Sequence, residues 1–208
     1  DSDSTAFDWE LPYQYELVHR LQPSCLIGNN HHQTPFEGED IQIFERDVPG
    51  ENKAGLSGQA ISRLPLETCQ TMNGMWGYKV ADQNYKTATE LIRLLVQTSG
   101  KGANLLLNIG PQPDGTLPET ALSRLSEIGQ WLSSNGDAIY GTTSGGYTDP
   151  EKIVTTRKGD KLYIHIIDES VEHLEIPLEE KVKSVISFAD RTPLQHKMRD
   201  GKLTLDVT

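Results

Sequence analysis

Apolar positions divide the chain into a first stretch of mixed helical and strand-like segments and a second stretch of strands alone. Leu11, Tyr15, Val18 and Leu21 recur near one face. This predicts a helix from Asp8, as its cap, through about Gln22, stopped by Pro23. Cys25-Leu26-Ile27-Gly28 reads as a short strand that turns polar at Asn29-Asn30-His31-His32. Ile41-Gln42-Ile43-Phe44 reads as another, ending in Glu45-Arg46-Asp47 and broken by Pro49-Gly50. Residues 51–66 carry Gly55, Gly58 and Pro65 without a period and are expected to be loop. A second helix is predicted from Asp82, with Ala88, Leu91, Ile92 and Leu95 as its apolar face and Gly100 as its end. Leu105-Leu106-Leu107 has the unbroken apolar character of a parallel strand buried on both sides, and it ends in Asn108-Ile109-Gly110-Pro111. A third helix is expected from Pro118 to Asn135. It would turn Ala121, Leu122, Leu125, Ile128 and Leu132 to the core and stop at Gly136.

Beyond Gly141 the texture changes. Gly145-Gly146 and Asp149-Pro150 read as a linker. Strand-like runs follow at 153–156, 162–167, 173–176, 182–188 and 203–207, with Gly159-Asp160 and Asp200-Gly201 as hairpin turns. This is an α/β chain followed by an all-β, antiparallel one. The order suggests an α/β barrel segment plus a small β-sandwich. A whole barrel needs roughly 250 residues, so the 140 or so before the linker would hold about half. Unless the barrel reading is wrong, the expected architecture is the C-terminal half of a (β/α)8-like barrel over residues 1–141. A small antiparallel β-sandwich would then occupy 142–208.

Composition narrows the partners. The 208 residues include 19 Lys and Arg against 30 Asp and Glu, a net charge of −11. That balance speaks against nucleic acid and anionic membrane surfaces, which need clustered cations. Hydrophobic residues are 36%, ordinary for a globular protein. No apolar run approaches the roughly 20 residues of a membrane span, and no signal peptide is visible. Cys25 and Cys69 are too few for a disulfide scaffold and form no C-x-x-C motif, so each is expected to be a small buried apolar residue rather than a ligand.

Functional groups in parallel α/β folds collect where strands end. A carboxylate just past an apolar strand is partly desolvated, which suits a general acid, and Glu45 fits. The alternative is a surface glutamate paired with Arg46. Adjacent histidines on a strand point to opposite faces, so His31 and His32 are a poor metal pair, and one of them is better read as a hydrogen-bonding group. Glu37, Glu39 and Asp40 read as a solvated loop. Trp76 could stack on the apolar face of a sugar or simply pack in the core. Glu67 is either a second carboxylate of a site or a buried structural partner. The 141–146 stretch lacks a phosphate-loop pattern, and the chain has no G-x-S-x-G elbow.

Several segments taken in order resemble a known family. They are Leu66-Glu67-Thr68-Cys69-Gln70-Thr71, Trp76-Gly77-Tyr78, Asn104 through Pro111 (NLLLNIGP), Asp114-Gly115, and Gly136-Asp137-Ala138-Ile139-Tyr140-Gly141. Together, from about Cys25 to Tyr140, they are similar to the α-L-fucosidases of glycoside hydrolase family 29.

The resemblance implies a (β/α)8-like barrel with a C-terminal β-sandwich. It also implies retaining hydrolysis of terminal α-L-fucose by two carboxyl groups, with no metal or organic cofactor. Glu45, followed by Asp47 and Pro49-Gly50, matches the family's acid/base glutamate, with Glu67 as the rival. Trp76 matches an aromatic lining the fucose pocket. His31 falls near a position where some members place an arginine, which implies a sugar contact. The family's nucleophilic aspartate, in a W-F-D-G type motif, has no counterpart here, because Asp1, Asp3 and Asp8 follow no strand. The nucleophile is therefore expected outside this chain, on an N-terminal half that would be its partner, and the chain alone is expected to be inactive. The substrate would be a fucosylated oligosaccharide, and export would follow from the family's habit. A non-catalytic carbohydrate-binding protein, or another retaining glycosidase on this scaffold, are the alternatives.

Overall fold

The computed structural model describes residues 8–207. The lead-in aspartates Asp1 and Asp3 lie outside them. Helix α1 spans Leu11–Leu21. It begins later than expected because Asp8 spends its carboxylate on Glu10 N–H, and Glu10 enters the helix in the left-handed conformation, at φ 49°. No α1 residue is buried.

Four parallel strands follow: β1 (Gly28–Asn29), β2 (Ile41–Glu45), β3 (Leu66–Thr71) and β4 (Ala103–Asn108), paired in that order. The strand expected at Cys25–Gly28 sits later, since only Gly28 and Asn29 pair with β2. Strand β3 has no counterpart among the predicted strands, and only its first residue falls in the stretch expected to be loop. Its polar sequence is held because it pairs on both sides, Glu45 opposite Cys69 and Cys69 opposite Leu106. Thr68 is buried, with its hydroxyl donating to Asp47 O. Irregular loops rather than helices join β1 to β2 and β2 to β3. Side chains satisfy the second loop's backbone: Asp47 accepts from Lys53 and Ala54 N–H, and Gln42 accepts from Ser62 N–H.

Helix α2 (Ala88–Gly100) connects β3 to β4. It starts six residues after Asp82, because Thr87 and Glu90 form a reciprocal capping box. Helix α3 (Glu119–Asn135) follows β4 and runs into a 3₁₀ turn at Gly136–Ala138. Only Ala121 of its expected core face is fully buried, and Leu122 and Leu125 are exposed. Ala121 and Ile128 pack with Leu91, Met72 and Leu107, so the helices cover one face of the parallel sheet. The other face carries Ile43, Glu45, Glu67 and Cys69, all partly buried. Leu106, expected to be buried on both sides, is 46% exposed on edge strand β4.

The remaining strands are β5 (Thr143–Asp149), β6 (Ile153–Lys158), β7 (Lys161–Ile166), β8 (His173–Pro177), β9 (Val185–Ile186), β10 (Pro193–Leu194), β11 (His196–Arg199) and β12 (Lys202–Asp206). All their pairings are antiparallel. The sheets β5-β6-β7 and β11-β12-β8 share one core, in which Ile153 and Ile164 meet Leu174, Ile176, Leu203 and Leu205. Asp200 and Gly201, at φ 50° and 73°, make the tight β11–β12 turn.

The glycine-rich stretch expected as a linker is strand β5. Gly145 lies so close over Thr155 that a Cβ would fall 2.4 Å from Oγ1, so the local glycine content serves strand packing rather than flexibility. The long strand expected over 182–188 shrinks to two residues. Phe188 turns out of it to meet Tyr163 edge-on and to carry Arg191 over its ring.

Candidate active site

The C-terminal ends of β1 to β4 bring the polar groups together. Past β1 the chain keeps a two-residue alternation. Asn29 and His31 turn to one side, where both reach Glu39. Asn30 and His32 turn to the other, where both face Glu45. The adjacent histidines thus do part to opposite sides.

Glu39 is a hub rather than a solvated loop residue. Its side chain is 1% exposed. It accepts from Tyr15 Oη at 2.7 Å, Asn29 Nδ2 at 2.9 Å and Phe36 N–H at 3.0 Å, and it lies 3.1 Å from His31 Nε2. Burial first, and the Glu39 carboxylate second, push the Tyr15 phenol up to about 12. His31 Nδ1 accepts from Gln33 N–H, so Nε2 carries the hydrogen donated to Glu39. The His31 ring also stacks on Phe36 at 4.2 Å, and its side chain is 2% exposed. Both of its nitrogens are used inside the chain, which does not favour the sugar contact implied by resemblance.

Glu45 is the last residue of β2, and its side chain is 14% exposed. Asn30 Nδ2 donates to Oε2 at 2.7 Å, and His32 Nε2 lies 3.7 Å from the same oxygen. Arg46 directs its guanidinium elsewhere. Nη2 donates to Gly74 O, and the group lies 5.4 Å from the Trp76 ring centroid. His32 and Arg46 adopt φ 60° and 63°, a conformation costly for residues with side chains and common where function imposes it.

Glu67 occupies the same face of the sheet, one rung below Glu45: it pairs with Ile43, whereas Glu45 pairs with Cys69. Neither Cys25 nor Cys69 is fully buried, contrary to expectation, since Cys69 lies at the polar end of the sheet beside two carboxylates. Partial burial, then Glu45, then Glu67 push the Cys69 thiol up to about 11, so this cysteine stays protonated beside the two carboxylates.

Trp76 is fixed by the end of β4. Asn108 Nδ2 donates to Trp76 O at 2.6 Å. A Cβ on Gly110 would fall 2.4 Å from Tyr78 N, so only glycine lets the NIGP turn close on the WGY turn. Lys86 donates to Thr71 O, and burial, followed by Arg46, lowers its pKa. No group of three or more His, Cys, Asp or Glu among the described residues is arranged to hold a metal ion. No helix among them is long and apolar enough to cross a membrane.

Sequence reasoning singled out Glu45, Glu67, Trp76 and His31. It held His32 only as an alternative hydrogen-bonding group, Glu39 as a solvated loop residue and Arg46 as a surface partner for Glu45, and it gave Asn30 no role of its own, although the N-N-H-H alternation was a readable signal for Asn30 and His32.

Comparison with known proteins supplies the family. The sequence model described as Alpha-L-fucosidase matches residues 1–137. The plasma alpha-L-fucosidase of Homo sapiens is 38% identical over 185 residues, covering 73% of this chain and 40% of that protein. Alpha-L-fucosidase isoenzyme 1 from Paenibacillus thiaminolyticus is 31% identical with a TM-score of 0.78, covering 96% of this chain and 50% of that one. Thermotoga maritima alpha-fucosidase, solved in complex with fucose, is 25% identical with a TM-score of 0.71, covering 96% of this chain and 44% of that one. The chain spans half or less of the length of these three relatives. With the family model covering more than half of its residues, the chain belongs to the alpha-L-fucosidase family.

Proposed function

We propose that this chain carries the acid/base side of the active site of a retaining α-L-fucosidase, with the nucleophilic aspartate on sequence outside these residues. One observation carries the reading. Glu45 stands at the C-terminal end of a parallel strand, largely desolvated, held by Asn30 and next in sequence to the Arg46 that lies over Trp76.

In this scheme the nucleophile attacks the anomeric carbon while Glu45 donates its proton to the departing glycosidic oxygen. Glu45 then takes a proton from water as that water displaces the enzyme carboxylate, and two inversions give net retention. Trp76 offers an aromatic wall to the sugar's apolar face. Glu67, a rung deeper, acts as a supporting group. The parallel strands and helices of residues 1–141 form part of a (β/α)8-like barrel, and the face of β2 and β3 that carries Glu45 and Glu67 would line its interior. Residues from 142 form the β-sandwich domain. The substrate is a terminally fucosylated oligosaccharide, the partner is the N-terminal part of the same protein, and the enzyme is exported. A plasma relative supports the last point.

The test is hydrolysis of an aryl α-L-fucoside by the full-length protein, with NMR detection of the first anomer released. Release of α-fucose first supports the reading. Release of β-fucose first, or fucose binding without turnover, overturns it.

A further inference from the structure

We propose that Asn30 is a positioning residue for the acid/base, reserving one oxygen of Glu45 for proton transfer. The inference rests on the functional reading above. Asn30 follows β1 directly, and its side chain turns toward Glu45 because the alternation sends Asn29 to the Glu39 hub. That hub ties Tyr15, Asn29, His31 and Phe36 to one buried carboxylate, so the backbone on both sides of Asn30 is anchored. The amide is therefore held in place, and its Nδ2–H fixes Glu45 Oε2 at 2.7 Å.

An oxygen already accepting an N–H, with His32 Nε2 at 3.7 Å, is the poorer site for the acidic proton. The transferable proton is assigned to Oε1. The other end of the amide adds an independent sign. Asn30 Oδ1 is buried and meets no hydrogen-bond donor among the described residues. Such an acceptor is costly to leave unmet, and a hydroxyl of the bound glycan is the donor class that would satisfy it.

Asn30→Ala and Asn30→Asp in the full-length protein test this, using an aryl α-L-fucoside with a poor leaving group and one with an excellent leaving group. Loss of the N–H removes a bond that favours the ionised carboxylate, so the alkaline limb of the kcat/KM profile moves to higher pH. It moves further in Asn30→Asp, where a like charge faces Glu45. The poor-leaving-group substrate loses on the order of 10²-fold, and the excellent one changes little. Asn30→Asp preserves side-chain volume, which keeps the test open should the alanine variant fold badly. An alkaline limb that stays in place, with equal losses on both substrates, overturns this inference alone. Absence of hydrolysis by the unsubstituted protein overturns the functional reading and this inference with it.

Discussion

Glu45 and Cys69 are partners across the parallel β2–β3 pair, which puts Glu67, opposite Ile43, two residues deeper along the same face. Two strand residues are about 6.6 Å. In a parallel α/β sheet the chemistry sits at the C-terminal mouth, which favours the shallower Glu45 over Glu67 as the acid.

The roles of the two carboxylates are separable by leaving group. In the full-length protein, Glu45→Gln is expected to lower turnover of a poor-leaving-group aryl fucoside by about 10²- to 10⁴-fold while largely sparing an activated one. Glu67→Gln should affect both substrates alike. The reverse pattern in steady-state kinetics would exchange the assignments.

The Glu39 hub should behave as one unit. Removing its carboxylate strands donors from Tyr15, Asn29, His31 and Phe36. Glu39→Ala is expected to cost at least about 3 kcal/mol in urea unfolding, because several buried donors lose their acceptor at about 1–3 kcal/mol each. Tyr15→Phe, which removes one donor, should cost about 1 kcal/mol. Similar losses from the two variants would show that the carboxylate is not the centre.

His165 makes stability depend on pH. Burial pushes its imidazole from 6.5 down to about 4, and Nε2 lies 2.9 Å from Thr156 Oγ1, which itself donates to Ala138 O. Unfolded, the ring takes a proton near 6.5. Folded, it resists until about 4. Between those values the unfolded chain binds the extra proton. The contribution is therefore complete above pH 6.5 and drains away as pH falls toward 4, by on the order of 3 kcal/mol. His165→Gln should flatten that part of the urea-midpoint profile, and an unchanged slope would place the dependence on other groups.

Helix α2 meets β6 at a contact with no spare room. Val96 and Val154 share a buried cluster with Ile139, and a Cβ on Gly100 would fall 2.2 Å from Val154 Cγ1. Despite alanine's better helix propensity, Gly100→Ala is expected to destabilise by about 1–3 kcal/mol through overpacking. Adding Val154→Ala should recover part of that loss in a double-mutant cycle.

Much of this architecture was legible in local pattern. Strand β2 and its terminal Glu45, helix α2 with its end at Gly100, and the Asp200-Gly201 turn all follow from short-range rules of periodicity, capping and turn chemistry. The family motifs were legible too, and the structure supplies physical reasons for two of them. NIGP closes on WGY through Gly110 and Asn108. In the GDAIYG segment, Ala138 O receives the Thr156 hydroxyl and Ile139 packs against Val96 and Val154.

What no local pattern could supply came from distant partners. Leu66–Thr71 is a strand because β2 and β4 flank it, and Thr143–Asp149 is a strand because β6 pairs with it. Glu39 is buried because Tyr15, 24 residues away, and its other donors replace water around it. Propensity and periodicity act over a few residues, whereas desolvation and hydrogen-bond satisfaction depend on what the folded chain brings near. A strand-end position, together with the family resemblance, marked Glu45 as the candidate acid. Its orientation by Asn30, and its separation in depth from Glu67, exist only once the strands are in register.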